Sequence, residues 1–335
     1  MRSSPVEIVA EIGMTHDGSF GQAKAMIKAA AGCKADAVKF QTHIAEAETL
    51  PDAPSPAYFE NENRYEYFVR TAFSLKEHVA LKQYAERNGV EFISSPFSIE
   101  AVELLEQVGV TTFKIPSGEV TNTPYLIRVA QTGKRVLLSS GMSTWSELDE
   151  AVKTLREHGC RDLVLLQCTS EYPCPPEHAG LNVLLDMKER YDLPIGLSDH
   201  TLGIAVSIAA VALGACIVEK HFTLSKFMYG PDAKFSADPG EFKTLVQGIR
   251  DVEVALAHQV DKDELAISLR RMKTTFEKSV MAACDLPSGT KLEMEHLAFK
   301  KPGDGISARE YEDLLGRTLS KDVKKDQRFS EGDFV

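Results

Sequence analysis

The chain has 335 residues, 43% hydrophobic and 26% charged, a composition that suits a soluble globular protein with one large domain and a small one. Its net charge of −11 argues against a nucleic-acid backbone or an anionic membrane as partner, while leaving room for a small basic pocket inside an acidic shell. The N-terminus has no apolar signal core, the apolar run Ile204 to Ile217 is broken by Ser207 and Gly214, and six cysteines stand without a CxxC pair, so a cytoplasmic protein with reduced thiols is expected.

In chain order, the pattern predicts a strand at Glu7 to Gly13 with Glu11 near its end, the turn Thr15-His16-Asp17-Gly18, and a helix through Gly32. A second strand, Ala37 to Thr42, carries Lys39 and Gln41. A long connection follows, His43 to about Phe73, holding Pro51, Pro54, Pro56 and the aromatics Tyr58, Phe59, Tyr65, Tyr67 and Phe68; its composition favours an ordered lid. After a helix, Leu75 to Asn88, strands are expected at Glu91 to Phe97, Thr112 to Gly118, Arg135 to Gly141 and Asp162 to Thr169, separated by helical segments. The last two lie within Pro194 to Phe222, the first ending Ser198-Asp199-His200 and the second Glu219-Lys220-His221; they flank one apolar helix, and a charged helix from Pro239 to about His258 closes the set.

These eight apolar runs, each followed by a helical segment, read as a TIM (β/α)8 barrel over residues 1–260. A doubly wound sheet would gather its polar ends at one switch point, and no glycine-rich dinucleotide fingerprint follows the first strand. Residues 261–275 are charged and helical, a linker, and 276–335 change to short strands and frequent turns, a small separate domain.

Every strand ends in polar residues, and in a TIM barrel those ends build the active site. His200 and His221, on adjacent strand ends, are spaced to share a divalent metal, with Glu11 as a further carboxylate; His16 is a weaker candidate. Lys39 and Lys114 lie inside apolar strands and need an anionic partner: a bound phosphate or carboxylate beside Ser117, Ser140 and Ser198, or else a salt bridge to Glu11 or Glu119. Glu119 and Tyr172 suit sugar hydroxyls, and Asp232 stands over the mouth or simply in a turn. His43, His78, His158, His178, His258 and His296 read as surface or loop residues.

The motifs EIVAEIGMTHDGS, AVKFQT, FKIPSGE, LLSSGMST, QCTSEYPCP, GLSDHTLG and EKHFTL…YGPDAKFS resemble, in order, those of the sialic acid synthases, and the tail resembles their antifreeze-like SAF domain. The resemblance implies a TIM barrel plus SAF domain in a homodimer whose small domain caps the partner barrel. It implies condensation of phosphoenolpyruvate with an open-chain N-acetyl-amino-hexose, with release of phosphate. Lys114, Ser117, Ser140 and Ser198 would then hold phosphoenolpyruvate, His200 and His221 would bind Mn2+ or Mg2+, and Glu11 would act near the metal. Lys39, Gln41, Glu119, Tyr172, Asp232 and, from the small domain, Lys301 would face the sugar. Three departures fall on the sugar side: Thr15 where the family often has Asn, Lys301 where it often has Arg, and a lid without an obvious sugar-contacting match, where Asn61 or Asn63 is the available substitute.

Three rivals remain at this stage. One is a class I aldolase with Lys114 or Lys39 as Schiff-base amine. Another is a synthase for a phosphorylated sugar, for which only Arg64 and Arg70 offer extra charge near the lid. The third is a non-catalytic sugar- or ice-binding protein.

Overall fold

The computed structural model describes residues 4–56, 59 and 62–335. Tyr58 of the predicted aromatic cluster and Asn61 lie outside the described residues. The chain divides into two compact units, Met1–Ala257 and His258–Val335.

In the first unit eight parallel strands close into a barrel in sequence order. They are β1 Glu7–Gly13, β2 Ala37–Thr42, β3 Glu91–Pro96, β4 Thr112–Ile115, β5 Arg135–Ser139, β6 Leu163–Cys168, β7 Ile195–Asp199 and β8 Ile217–His221. β1 pairs with both β2 and β8, which seals the cylinder. Each strand turns alternate side chains to its two faces, and both faces are buried. The outward set packs beneath the helices with residues such as Ile8, Phe40 and Phe113. The inward set forms its own smaller core from Val9, Ala37, Ile93, Leu137, Val164, Leu166 and Ile217.

Gly196, on β7, has no side chain because the barrel interior has no room for one. A Cβ there would lie 2.5 Å from Leu166 Cδ2 and 2.7 Å from the Ile217 carbonyl oxygen. Gly196→Ala is therefore expected to destabilise the protein by about 1–3 kcal/mol through overpacking. Urea unfolding checks this; an unchanged midpoint would mean that the strands have slack.

The long connection is built rather than irregular. It contains a short helix, Ala45–Glu48, and a longer one, Arg64–Thr71, and the buried Tyr67 donates to the Met14 carbonyl at 3.1 Å. Asn63 caps the second helix, accepting from the Tyr65 N–H at 2.7 Å. That occupies the side chain considered above as a sugar contact.

The second unit holds an antiparallel pair, β9 Ser279–Ala282 with β10 Leu297–Lys300, over a core that includes Val280, Leu286, Leu319 and Phe329. The stretch read as a linker forms helices Lys262–Ser268 and Arg270–Phe276, which group with this unit. No helix among the described residues is long and apolar enough to cross a membrane.

Candidate active site

A cavity of about 570 Å³ opens at the C-terminal ends of the strands. Glu11, Lys39, Gln41, Lys114, Ser117, Glu119, Tyr172, Ser198, His200, His221 and Asp232, all singled out from sequence, line it. The alternation that places apolar side chains low in the barrel carries polar ones into its upper layer: Val9 is followed inward by Glu11, Ala37 by Lys39, Ile217 by Glu219.

The same alternation corrects one assignment. Leu137 points inward, so Ser139 does too, and it lines the cavity with its hydroxyl buried and without a hydrogen-bond partner. Ser140 is absent from the lining and donates to the Leu166 carbonyl at 3.2 Å instead. The serine offered by β5 is Ser139.

Charge in the floor is internally paired. Lys114 Nζ donates to both oxygens of Glu219, at 2.9 and 3.0 Å. Lys39 lies 3.0 Å from Glu11 and 3.5 Å from Glu219, and donates to Ser95 at 3.2 Å; Ser198 donates to Glu219 at 3.0 Å. The salt-bridge alternative for these lysines is thus present, but its second carboxylate is Glu219, not Glu119. Glu119 instead accepts from Asn122 at 2.7 Å. Burial pushes the Glu219 carboxyl up, but the two lysines outweigh it and hold Glu219 ionised. Burial draws Lys114 below the ordinary lysine range against the attraction of Glu219, with Lys39 repelling it further. Burial likewise raises Glu11 despite Lys39.

His200 and His221 are adjacent, their ring centroids 5.3 Å apart, with Tyr172 tilted against His200 at 4.3 Å. His200 Nδ1 faces the Thr169 carbonyl at 2.7 Å and must donate to it, so Nε2 is the nitrogen left for a ligand. His221 Nδ1 is buried with no hydrogen-bond partner, 3.9 Å from Asp232 Oδ2. Burial, then the charges of His200 and Lys39, push His221 well below the ordinary range and keep its imidazole neutral. Burial and the Glu11 charge lift Asp232 to about 6. Behind the two histidines, on the outward face, Lys220 donates to Asp199 at 2.9 Å and to the Thr201 carbonyl at 2.8 Å. This buried pair fastens the ends of β7 and β8 together. Among the described residues no group of three or more His, Cys, Asp or Glu side chains forms a ready-made metal cluster. The donor set is two imidazoles, one with an orphaned nitrogen, so a cation here would complete its shell from oxygens of substrate or water.

Several residues lie elsewhere than expected. His16 is buried against Phe73 at 4.4 Å, outside the cavity lining. His43 and His78 are buried, not surface residues; His43 is sandwiched between Phe68 at 3.7 Å and Phe97 at 4.1 Å. Arg70 pairs with Asp17 and Glu62 outside the cavity, while Arg64 lines it. Lys301, expected from the resemblance to reach sugar in a partner barrel, has an exposed side chain in the second unit, over the Phe276 ring at 4.7 Å, and a single chain does not test that role. Glu219, Ser95, Ser139 and Cys168 were not assigned a role from sequence, although inward alternation points to each. Burial pushes the Cys168 thiol up, but His200 and Lys114 outweigh it and bring it to about 7.

Comparison with known proteins agrees with this architecture. Residues 26–261 match the NeuB family and residues 277–335 the SAF domain. The chain is 41% identical over 325 residues to an uncharacterized protein of Methanocaldococcus jannaschii, covering 97% of this chain and 93% of that one. It is 38% identical over 331 residues to the N,N'-diacetyllegionaminic acid synthase of Campylobacter jejuni, covering 97% and 98%. Its fold matches the crystal structure of an N-acetylneuraminic acid (sialic acid) synthetase from Leptospira borgpetersenii in complex with citrate, with TM-score 0.71 and 33% identity over 80% of this chain and 93% of that one. With most of its length inside one family match and its relatives aligned nearly end to end, the chain belongs to the NeuB family of sialic acid and related nonulosonate synthases.

Proposed function

We propose that this chain condenses phosphoenolpyruvate with an open-chain N-acyl-amino-hexose to give a nine-carbon 2-keto acid and inorganic phosphate. The observation that carries the reading is the ionic upper layer of the barrel. Two buried ammonium groups and three serine hydroxyls, Ser117, Ser139 and Ser198, share one cavity with two adjacent imidazoles. Lys114 and the serines would hold the phosphate and carboxylate of phosphoenolpyruvate, and Lys114 would exchange part of its contact with Glu219 for the substrate. Gln41, Glu119, Tyr172 and Asp232 would orient the sugar hydroxyls.

A divalent cation, Mn2+ or Mg2+, held by His200 and His221, would supply Lewis-acid polarisation of the sugar aldehyde. The C3 carbon of phosphoenolpyruvate would bond to the aldehyde carbon with the electron pair of its C=C bond, and the aldehyde oxygen would take a proton from solvent water. The cationic centre left at C2 would be captured by water, whose proton Glu11 would accept. The resulting tetrahedral adduct expels phosphate as its C–O bond breaks and the ketone forms. Lys39, between Glu11 and Glu219, keeps the Glu11 carboxylate in register during this exchange.

The proposal extends to a cytoplasmic homodimer whose small domain caps the partner barrel. Exposed apolar side chains on the helices of the second unit, Leu265, Ile267 and Met272, support a partner surface. The test is phosphate release from phosphoenolpyruvate, with Mn2+, across N-acetylmannosamine, diacetamido-trideoxyhexoses and a phosphorylated amino sugar. Release with one acceptor class is expected. Borohydride trapping of a lysine adduct in place of phosphate release would favour an aldolase and overturn the reading.

A further inference from the structure

The outer half of the cavity carries polar groups that the reaction above does not use. Glu48, at the end of the first lid helix, is 6% exposed at its side chain. Its Oε1 meets His43 Nδ1 at 2.7 Å, and the His43 ring is fixed between Phe68 and Phe97. Its other oxygen, Oε2, is buried and has no hydrogen-bond partner. The next residue, Thr49, accepts from Arg64 Nη2 at 2.9 Å, which holds the guanidinium beside Glu48's segment. Arg64 Nε is buried and also lacks a partner, and among the described residues no carboxylate forms an ion pair with Arg64. Glu48, Thr49 and Arg64 all line the cavity, against a wall that includes Tyr67, Phe68 and Met142.

One unsatisfied acceptor and one unsatisfied donor, held by a rigid aromatic clamp beside an apolar wall, match a secondary amide. A phosphate fits poorly. Glu48 and Glu119 both line the cavity, Arg64 is the cation the lid adds to it, and Arg70 is committed elsewhere. We infer that Arg64 and Glu48 form a specificity site for a second acylamino group on the acceptor sugar: Arg64 Nε donates to the acyl carbonyl, Glu48 Oε2 accepts the amide N–H, and the acyl methyl packs on the lid wall. The preferred acceptor is then a neutral hexose bearing two acylamino groups. The inference rests on the synthase reading above.

The test compares kcat/KM for a diacetamido-trideoxyhexose with that for N-acetylmannosamine, by phosphate release, in the full-length protein. The wild type is expected to favour the diacetamido acceptor by about tenfold or more, because an acceptor lacking the amide leaves both buried groups unpaired. Arg64→Met is expected to collapse that ratio toward unity, chiefly through KM of the diacetamido acceptor. Arg64→Lys, which keeps charge and lid packing but not the Nε donor, carries the same test should the methionine variant lose its fold. Preference for N-acetylmannosamine or for a phosphorylated sugar would overturn this assignment and leave the reaction standing. An unchanged ratio in both Arg64 variants would do the same. Silence with every acceptor would overturn the reaction and the assignment together.

Discussion

Lys114→Ala is expected to lower kcat/KM for phosphoenolpyruvate by about 10²- to 10³-fold and to lower stability as well. Lys114 contributes a two-oxygen contact to Glu219, and both side chains are almost fully buried. Removing one partner of a buried, hydrogen-bonded pair costs about 3–5 kcal/mol, because the other charge is left uncompensated. Here the loss is softened, since Lys39 at 3.5 Å and Ser198 at 3.0 Å still face Glu219. The stability effect should therefore fall at or below the lower end of that range, while the loss of the substrate anion's partner remains whole. The double variant Lys114→Met, Glu219→Gln separates the two: it should regain the unfolding midpoint but not the activity. Steady-state phosphate release and denaturant unfolding read both. A near-normal KM for phosphoenolpyruvate in Lys114→Ala would place the substrate anion elsewhere.

His221→Ala is expected to abolish metal-dependent turnover and to weaken Mn2+ binding by more than about a hundredfold, since even outer-sphere changes at metal sites cost 10–100-fold. The imidazole has no hydrogen-bond partner at Nδ1 and is held neutral, so its lone pair is available to a cation without a proton to displace. Its loss should do little to the fold, because Lys220 and Asp199, on the outward face, keep β7 and β8 joined. Mn2+ titration followed by electron paramagnetic resonance measures the affinity independently of turnover, and circular dichroism reports the fold. Retained Mn2+ binding would remove His221 from the ligand set.

The barrel was legible because its signal is redundant. Eight apolar runs in β/α alternation, each ending in polar residues, leave little freedom once both faces must be buried. The facing of individual side chains was harder. LLSSG offers two adjacent serines, and only the neighbouring inward contact of Leu137 decides that Ser139 enters the cavity and Ser140 does not. Glu219 could be seen at a strand end, but its partners are Lys39 on β2 and Lys114 on β4, 105 residues away in sequence for the latter, and no local pattern encodes that pairing. His43 and His78 read as surface residues because the lid that covers His43 has no periodicity of its own until its two helices are placed against the strands. Arg64 was visible only as a nearby charge; that no carboxylate among the described residues pairs with it is a property of the fold.

The interior of the barrel is divided by height, apolar below and ionic above, along the same strands. That division separates what keeps the protein folded from what it turns over. Methionine or leucine of matching volume in place of the ion cluster would give a barrel at least as stable and chemically inert, since buried ion pairs contribute little beyond apolar packing. Conversely, the lid can accumulate substitutions that alter which sugar is accepted while the lower layer continues to hold the cylinder closed. A lineage built on this chain can therefore change its product without first repairing its fold.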